Sequence, residues 1–88
     1  MPWAVLLERR AEKDLDKLGG RDRERIVRFL HNRLAPCENP RDLGEALAGP
    51  LSGFWKYRVG DYRIVARIED RRVTILVARI GNRREVYR

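Results

Sequence analysis

Residues 51–88 read LSGFWKYRVGDYRIVARIEDRRVTILVARIGNRREVYR and contain three runs rich in β-branched and aromatic residues. Gly60-Asp61 and Asp70-Arg71 separate these runs, and each dipeptide is placed as the two-residue loop of a β-hairpin. Successive side chains of a strand point to opposite faces of a sheet, so a hairpin loop determines which residues share a face. The stretch therefore predicts three antiparallel strands in sequence order, followed by a basic tail.

With these two loops, one face of the predicted sheet is apolar, and we call it the core face. It carries Trp55, Tyr57, Val59, Tyr62, Ile64, Ala66, Ile68, Val73, Ile75 and Val77. The opposite face, which we call the basic face, mixes cations with apolar side chains. It carries Phe54, Lys56, Arg58, Arg63, Val65, Arg67, Leu76, Ala78 and Ile80. Arg58 lies opposite Arg63, and such like-charged pairs destabilise a sheet. The basic face is therefore either a site for an anion and a partner or the solvated face of an arginine-rich protein.

The upstream half predicts one strand and two helices. Residues 3–7 form an apolar run that is long enough for a strand and too short for a helix. Residues 8–18 repeat apolar positions at helical spacing, and the glycine pair that follows supplies a stop. Residues 21–34 repeat this pattern up to Pro36, which ends the helix. Residues 36–50 contain three prolines and are predicted to form a loop.

The predicted order of elements is therefore β-α-α-β-β-β, which indicates an α+β fold. An antiparallel helical hairpin should pack on the core face of a mainly antiparallel four-stranded sheet. A chain of 88 residues is expected to form a single domain over residues 1–88.

Charge is concentrated in the same half as the predicted sheet. Residues 1–50 hold ten Lys or Arg and nine Asp or Glu, a net charge of +1, whereas residues 51–88 hold ten and four, a net charge of +6. A basic half with interspersed aromatic residues favours contact with nucleic acid. A solubility effect or an acidic protein partner would explain the same charge.

Composition also excludes several classes of protein. The single cysteine, Cys37, rules out an intrachain disulfide and favours a reducing compartment. No run is long enough to span a membrane, and the N-terminus lacks the pattern of a signal peptide, so a cytoplasmic location without membrane contact is expected. One histidine, His31, and one cysteine do not make a zinc site, and no phosphate-binding glycine loop is present, so no metal or cofactor is expected.

After these exclusions, the side chains that could form a functional site are several cations and one phenol. These residues are Lys56, Arg58, Arg63, Arg83, Arg84 and Tyr87. RNA carries its own nucleophile, the 2′-hydroxyl, so a protein can cleave it by holding that group in line and stabilising the developing negative charge. Such a site needs neither a metal ion nor a histidine. The residues alone fit RNA cleavage and simple nucleic-acid binding.

A resemblance to a known family is carried by the segments LSGFWKYRVGDYRIVARI and ILVARIGNRREVYR. Both resemble RelE toxins of the RelE/ParE superfamily, the toxin halves of type II toxin–antitoxin modules, and AEKDLDKL resembles their first helix. The resemblance implies a microbial-RNase-like fold and a metal-independent endonuclease that cuts messenger RNA in the A site of the 70S ribosome, leaving a 2′,3′-cyclic phosphate. It also implies inhibition of translation and growth until a cognate antitoxin wraps the toxin.

The resemblance assigns catalytic roles to five residues. Lys56 and Arg58 match basic positions of the active site, and Arg63 in GDYR matches the arginine that grips the phosphate. Arg83 in GNRR matches the proposed acid or transition-state stabiliser, and Tyr87 in EVY matches the tyrosine that stacks on the message. Contacts with RNA are expected from Lys56, Arg58, Arg67, Arg84 and Arg88.

Two positions depart from the family pattern. Arg58 stands where relatives often carry lysine, and a guanidinium does not deprotonate in proteins, which leaves Lys56 as the candidate cationic base. Asn82 stands where many relatives carry a basic residue or histidine. Two alternatives stay open on the same fold: a ParE-like inhibitor of DNA gyrase that does not cleave RNA, and a catalytically weak toxin homologue that mainly binds its antitoxin.

Overall fold

A computed structural model describes residues 2–83 and has a five-stranded sheet with two helices on one of its faces. The strands are β1 (Ala4–Leu7), β2 (Glu45–Ala46), β3 (Trp55–Val59), β4 (Tyr62–Glu69) and β5 (Thr74–Asn82). The helices are α1 (Arg9–Asp16) and α2 (Gly20–Phe29), and α2 continues into a π-helical segment at Leu30–Leu34. No helix within residues 2–83 is long and apolar enough to cross a membrane.

The sheet order is β1-β5-β4-β3-β2, with β1 parallel to β5 and the other neighbours antiparallel. The predicted α+β class and helical hairpin are confirmed. The sheet has five strands rather than four, because Glu45 and Ala46 pair with Lys56 and Trp55. These two residues lie in the segment that the sequence predicts to be a loop. The prediction missed the strand because two residues are too few to show an alternating pattern.

The first hairpin has the predicted register. Val59 lies opposite Tyr62, and Arg58 lies opposite Arg63. Gly60 has a φ of 59°, a left-handed conformation that a residue with a Cβ adopts only with strain. This glycine lets the chain reverse tightly between β3 and β4.

The second hairpin corrects the prediction. Its loop is a 3₁₀ turn at Asp70–Arg72, so Ile68 pairs with Ile75 instead of Val73. A bulge then shifts the register between Val65 and Ala66, so that Ile80 lies opposite Ile64. An extra residue in one strand reverses which side chains face the core. Ile80 is therefore buried in the core at 2% exposure and does not lie on the basic face.

The helices close the core face. Ala11 and Leu15 of α1 are buried there with Ile26 of α2 and with Leu30 and Leu34 of the π-helical segment. They pack with the buried sheet residues Tyr57, Ile64, Ala66, Ile75, Val77 and Ile80. Because both helices occupy this side, the opposite side of the sheet is left for Lys56, Arg58 and Arg63.

A side chain of helix α1 stabilises the bulge in β5. One carboxylate oxygen of Asp14 accepts hydrogen bonds from Arg79 Nε and from the backbone N–H of Ile80, each at 2.9 Å. A bulge interrupts the regular ladder of backbone hydrogen bonds, and a side chain can supply the partner that is lost. Asp14 therefore links α1 to the end of β5, just before Arg83.

Candidate active-site cleft

Three of the predicted catalytic residues line one cleft. The cavity measures about 460 Å³, and its lining residues are Asp42, Leu43, Gly44, Glu45, Lys56, Arg58 and Arg63. The cations come from β3 and β4, whereas the two carboxylates come from the segment that ends in β2. The cleft thus combines the expected cations with acidic residues that sequence reasoning did not assign to a site.

The strands place the cations together. Lys56 and Arg58 are two positions apart on β3 and share a face, and Arg63 lies opposite Arg58 on β4. Arg63 is only 7% exposed, and its Nη1 donates to the backbone oxygens of Tyr62 at 3.0 Å and Gly60 at 3.4 Å. These carbonyl dipoles partly offset the repulsion that the paired arginines bring.

The opposite wall of the cleft approaches β3 closely at Gly44. A Cβ at this position would lie 2.7 Å from the backbone oxygen of Lys56 and 2.8 Å from Cε1 of Tyr57. Such contacts are too short for a real side chain, so glycine is required for the segment to pack here. The Tyr57 hydroxyl also donates to the backbone oxygen of Pro40 at 2.9 Å. These contacts hold the acidic wall against the basic strand.

Burial keeps this anchoring phenol protonated. Tyr57 is 0% exposed, and desolvation raises the pKa of its hydroxyl to about 12. The group therefore stays a hydrogen-bond donor throughout the physiological pH range. Farther along the same wall, Arg41 donates to both carboxylate oxygens of Asp70, at 3.1 and 2.7 Å, and this contact lowers the pKa of Asp70.

Glu45 is the acidic residue in direct contact with a cleft cation. It lies opposite Lys56 in the β2–β3 register, and its Oε2 is 3.4 Å from Lys56 Nζ. The Glu45 side chain is 76% exposed and that of Lys56 is 34% exposed, so the pair faces the open cleft. Sequence reasoning missed this pairing because residues 36–50 were interpreted as a loop without a defined partner.

The remaining predicted residues lie elsewhere or outside the described chain. Arg67 is placed over the ring of Phe54 at 5.8 Å and lies 3.8 Å from a carboxylate oxygen of Glu69, beyond the cleft lining. The backbone N–H of Arg83 donates to the Asp61 oxygen at 3.1 Å, which places Arg83 beside the β3–β4 turn. Arg84, Tyr87 and Arg88 fall outside the described residues.

A second basic cavity lies along α1. It measures about 480 Å³ and is lined by Arg9, Arg10, Lys13, Asp14, Lys17 and Arg79. It contains none of the predicted catalytic residues, and Asp14 pairs there with Arg79. This cavity is similar in size to the first cleft, but its charged groups are one ion pair and cations on the surface of a helix.

Metal-ligand and thiol chemistry find no support in the described part of the chain. Within residues 2–83, no group of three His, Cys, Asp or Glu side chains could hold a metal ion. Burial raises the pKa of the Cys37 thiol, which disfavours the reactive thiolate. His31 lies on the π-helical segment, outside the residues that line the cleft.

Comparison with known proteins gives consistent matches over nearly the whole chain. A family model described as "ParE toxin of type II toxin-antitoxin system, parDE" matches residues 5–87. Toxin RelG of Mycobacterium tuberculosis is 33% identical over 88 residues, covering 100% of this chain and 99% of that protein.

Solved structures give the same result. A chain in the crystal structure of the toxin–antitoxin complex RelBE2 from Mycobacterium tuberculosis is 31% identical, with a TM-score of 0.87 over 94% of this chain and 93% of that one. The isolated E. coli RelE toxin is 26% identical, with a TM-score of 0.72 over 91% of this chain and 83% of that one.

Proposed function

The chain belongs to the RelE/ParE superfamily of type II toxins, and from this membership we propose that it cleaves messenger RNA in the A site of the 70S ribosome. Membership makes it a toxin of a toxin–antitoxin system. The observation that supports an RNA-cleaving activity is the convergence of Lys56, Arg58 and Arg63 on one cleft.

The cleft offers what a phosphodiester requires. Guanidinium groups bind phosphate oxygens bidentately and keep their charge at any physiological pH. Arg63 uses Nη1 to hold the turn, and a guanidinium has five N–H donors, so the same side chain can also bind a phosphate. Arg58, directly opposite, adds a second positive charge where negative charge develops on the non-bridging oxygens.

The reaction is attack by the 2′-oxygen on the adjacent phosphorus. The bond to the 5′-oxygen of the next nucleotide breaks, which leaves a 2′,3′-cyclic phosphate and a free 5′-hydroxyl. Arg83 stabilises the transition state, and Tyr87 stacks on the message, as the family pattern implies. We expect further contacts with the RNA backbone from Arg67, Arg84 and Arg88, as predicted from the sequence.

The ribosome supplies orientation. The cations that line the described cleft all come from β3 and β4, so they would bind a phosphate mainly from one side and do little to force the neighbouring ribose into the in-line geometry. Holding reacting groups in that geometry accounts for a large part of catalysis. A message held in the A site arrives already constrained, which fits a toxin with an open and polar site.

An antitoxin is the partner of such a toxin, and the solved relatives include toxin–antitoxin complexes. We expect acidic residues of an amphipathic antitoxin segment to lie near Arg58, Arg63 or Arg83, on the basic face or beside the helical pair. Charge complementarity would speed association and oppose RNA binding. Hydrogen exchange of the toxin with and without its cognate antitoxin tests this. Protection that spares residues 54–67 and 74–88, with RNA binding unchanged in the complex, would contradict it.

The deciding experiment uses purified ribosomes that carry a defined message and a tRNA in the P site. The wild-type toxin should cut within the A-site codon, and the new 3′ end should be a cyclic phosphate that resists polyadenylation until the phosphate has been removed enzymatically. The same message without ribosomes is the control. Uncut message with inhibited DNA gyrase would instead support the ParE-like alternative; the family model that matches this chain is described as a ParE toxin.

A further possibility is a weak toxin that mainly binds its antitoxin. The contacts of Lys56 with Glu45 and of Arg63 with two carbonyl oxygens occupy groups that a phosphate would also use. If neither message nor gyrase is affected while the antitoxin still binds, that possibility replaces the endonuclease.

A further inference from the structure

The open face of the sheet carries an aromatic ring and an arginine that lie against each other. The guanidinium carbon of Arg67 is 5.8 Å from the centroid of the Phe54 ring. Strand alternation puts both side chains on the face opposite the helices, because their chain neighbours Trp55 and Ala66 pack with the core. Phe54 is partly exposed, and the Arg67 side chain is 50% exposed. Neither residue lines the cleft, and the Phe54 ring has no part in the chemistry proposed above.

We propose that Phe54 and Arg67 form a stacking subsite for a base of the bound message, an assignment that rests on the endonuclease function proposed above. Unstacked bases of single-stranded RNA bind proteins by stacking on aromatic rings and on the planes of arginine guanidinium groups. In this pair the guanidinium lies over the ring, and its outer side is open to solvent. A base that stacks here contacts both a cation and an aromatic surface.

The ion pair of Arg67 leaves this plane available. Nη2 of Arg67 is 3.8 Å from Oε1 of Glu69, two positions further along β4 and therefore on the same face. A carboxylate contacts a guanidinium through the N–H groups at its edge, whereas a base or a ring stacks on its planes. The same side chain can therefore pair with Glu69, contact the RNA backbone and stack on a base.

Backbone hydrogen bonds hold both residues of the subsite in place. The backbone oxygen of Phe54 accepts from the N–H of Leu47 at 2.9 Å, and its own N–H donates to the oxygen of Leu51 at 3.0 Å. Arg67 lies within β4 and pairs with Leu76 of β5. A platform whose backbone is fixed before binding loses little conformational entropy when the base arrives.

The subsite lies beside the cations of the cleft. Phe54 directly precedes β3 and is two residues from Lys56, a distance of about 7 Å along an extended chain. Arg67 is four residues from Arg63 on β4, a distance of about 13 Å. An RNA strand whose scissile phosphate is bound by Lys56 and Arg63 can therefore place the base of a nearby nucleotide on the pair. Such a stack fixes the register of the message in the cleft.

Binding to programmed ribosomes tests the subsite without a cleavage step. The message carries 2′-O-methyl groups on the A-site codon, which remove the nucleophile, and a tRNA occupies the P site. Phe54→Leu keeps an apolar side chain without an aromatic face, and Arg67→Lys keeps the charge without the plane. Each should raise the Kd by at least about 5-fold, the lower end of the effect of one lost base stack. Phe54→Trp, which enlarges the aromatic face, should keep the wild-type affinity or improve it.

Single abasic nucleotides in and beside the A-site codon identify the stacked base. At the stacking position, removal of the base should weaken wild-type binding by the same factor and leave Phe54→Leu unaffected, because that contact is already lost. At other positions the two proteins should respond equally.

Two variants serve as matched controls. Trp55 also has an arginine near its ring, with Arg41 at 6.0 Å, but it packs on the core face. Arg28 is also an exposed arginine in an ion pair, on the surface of α2. Trp55→Leu and Arg28→Lys should show the wild-type response to every abasic position. Unfolding midpoints verify that all variants are folded at the assay temperature.

The outcomes separate the subsite from the function on which it rests. Unchanged affinity in both Phe54→Leu and Arg67→Lys would overturn the subsite and leave the endonuclease standing. A loss of affinity that no abasic position reproduces would also overturn it, and would assign the pair to a contact with the ribosome itself. Weaker antitoxin binding with unchanged ribosome binding would make the pair an antitoxin contact instead. Failure of the wild type to bind programmed ribosomes would overturn the endonuclease itself.

Discussion

Tyr57 connects the loop that forms one wall of the cleft to the strand that forms the other. Its side chain is 0% exposed, and its hydroxyl donates to the Pro40 oxygen at 2.9 Å. Tyr57→Phe keeps the ring and its tilted contact with Phe29, whose centroid lies 6.0 Å away. The change is therefore confined to one buried hydrogen bond. Losing such a bond, with its acceptor left in place, should lower the free energy of unfolding by about 1–2 kcal/mol.

Thermal and urea unfolding measure this loss directly. In a domain of this size, each kcal/mol corresponds to a shift of about 4–8 °C, so the midpoint should fall by about 4–16 °C. Tyr62→Phe is the matched control, because the Tyr62 hydroxyl also donates at 2.9 Å, but to the half-buried carboxylate of Asp22. Because the Asp22 carboxylate can turn towards water, Tyr62→Phe should lower the free energy of unfolding by less than Tyr57→Phe does. Equal losses in the two variants would refute the argument from burial.

The same variant tests the pKa of the phenol. Burial raises the pKa of Tyr57 to about 12 from an ordinary value of about 10, so the folded state favours the neutral form. The stability that the folded state gains from keeping Tyr57 neutral is fully present below pH ~10 and is lost as the pH rises from ~10 to ~12. The stability difference between wild type and Tyr57→Phe should shrink over that interval, because phenylalanine cannot ionise. A constant difference would contradict the burial of this hydroxyl.

Two further predictions concern the walls of the cleft. Arg63→Ala and Arg83→Ala should each lower cleavage of ribosome-bound message by at least ~10²-fold, the scale of one lost transition-state contact, with Arg28→Ala on the α2 surface as control. Growth arrest that persists unchanged in the double variant would count against this. Gly44→Ala should cost about 1–3 kcal/mol in urea unfolding, because its Cβ would lie 2.7 Å from a backbone oxygen of β3. Gly19→Ala, where a Cβ meets nothing within 4 Å, is its control, and an equal loss in both would contradict the steric argument.

Much of the sheet could be predicted because its signals are local. Gly60-Asp61 set the β3–β4 register, and alternation then placed Lys56, Arg58 and Arg63 on one face, as observed. The second hairpin could not be predicted in the same way. Its loop is longer than Asp70-Arg71, and the bulge before Arg79 depends on Asp14, which is far away in the chain.

By itself, the sequence determined the α+β class, the helical hairpin and the sharing of one face by three cations, since helical spacing and strand alternation are properties of neighbouring residues. Only the tertiary structure decided that Glu45 faces Lys56. That contact depends on a two-residue strand, a close approach at Gly44 and a buried hydrogen bond between Tyr57 and Pro40. Each joins segments about ten residues or more apart, and pairing over such distances is set by packing rather than by local pattern.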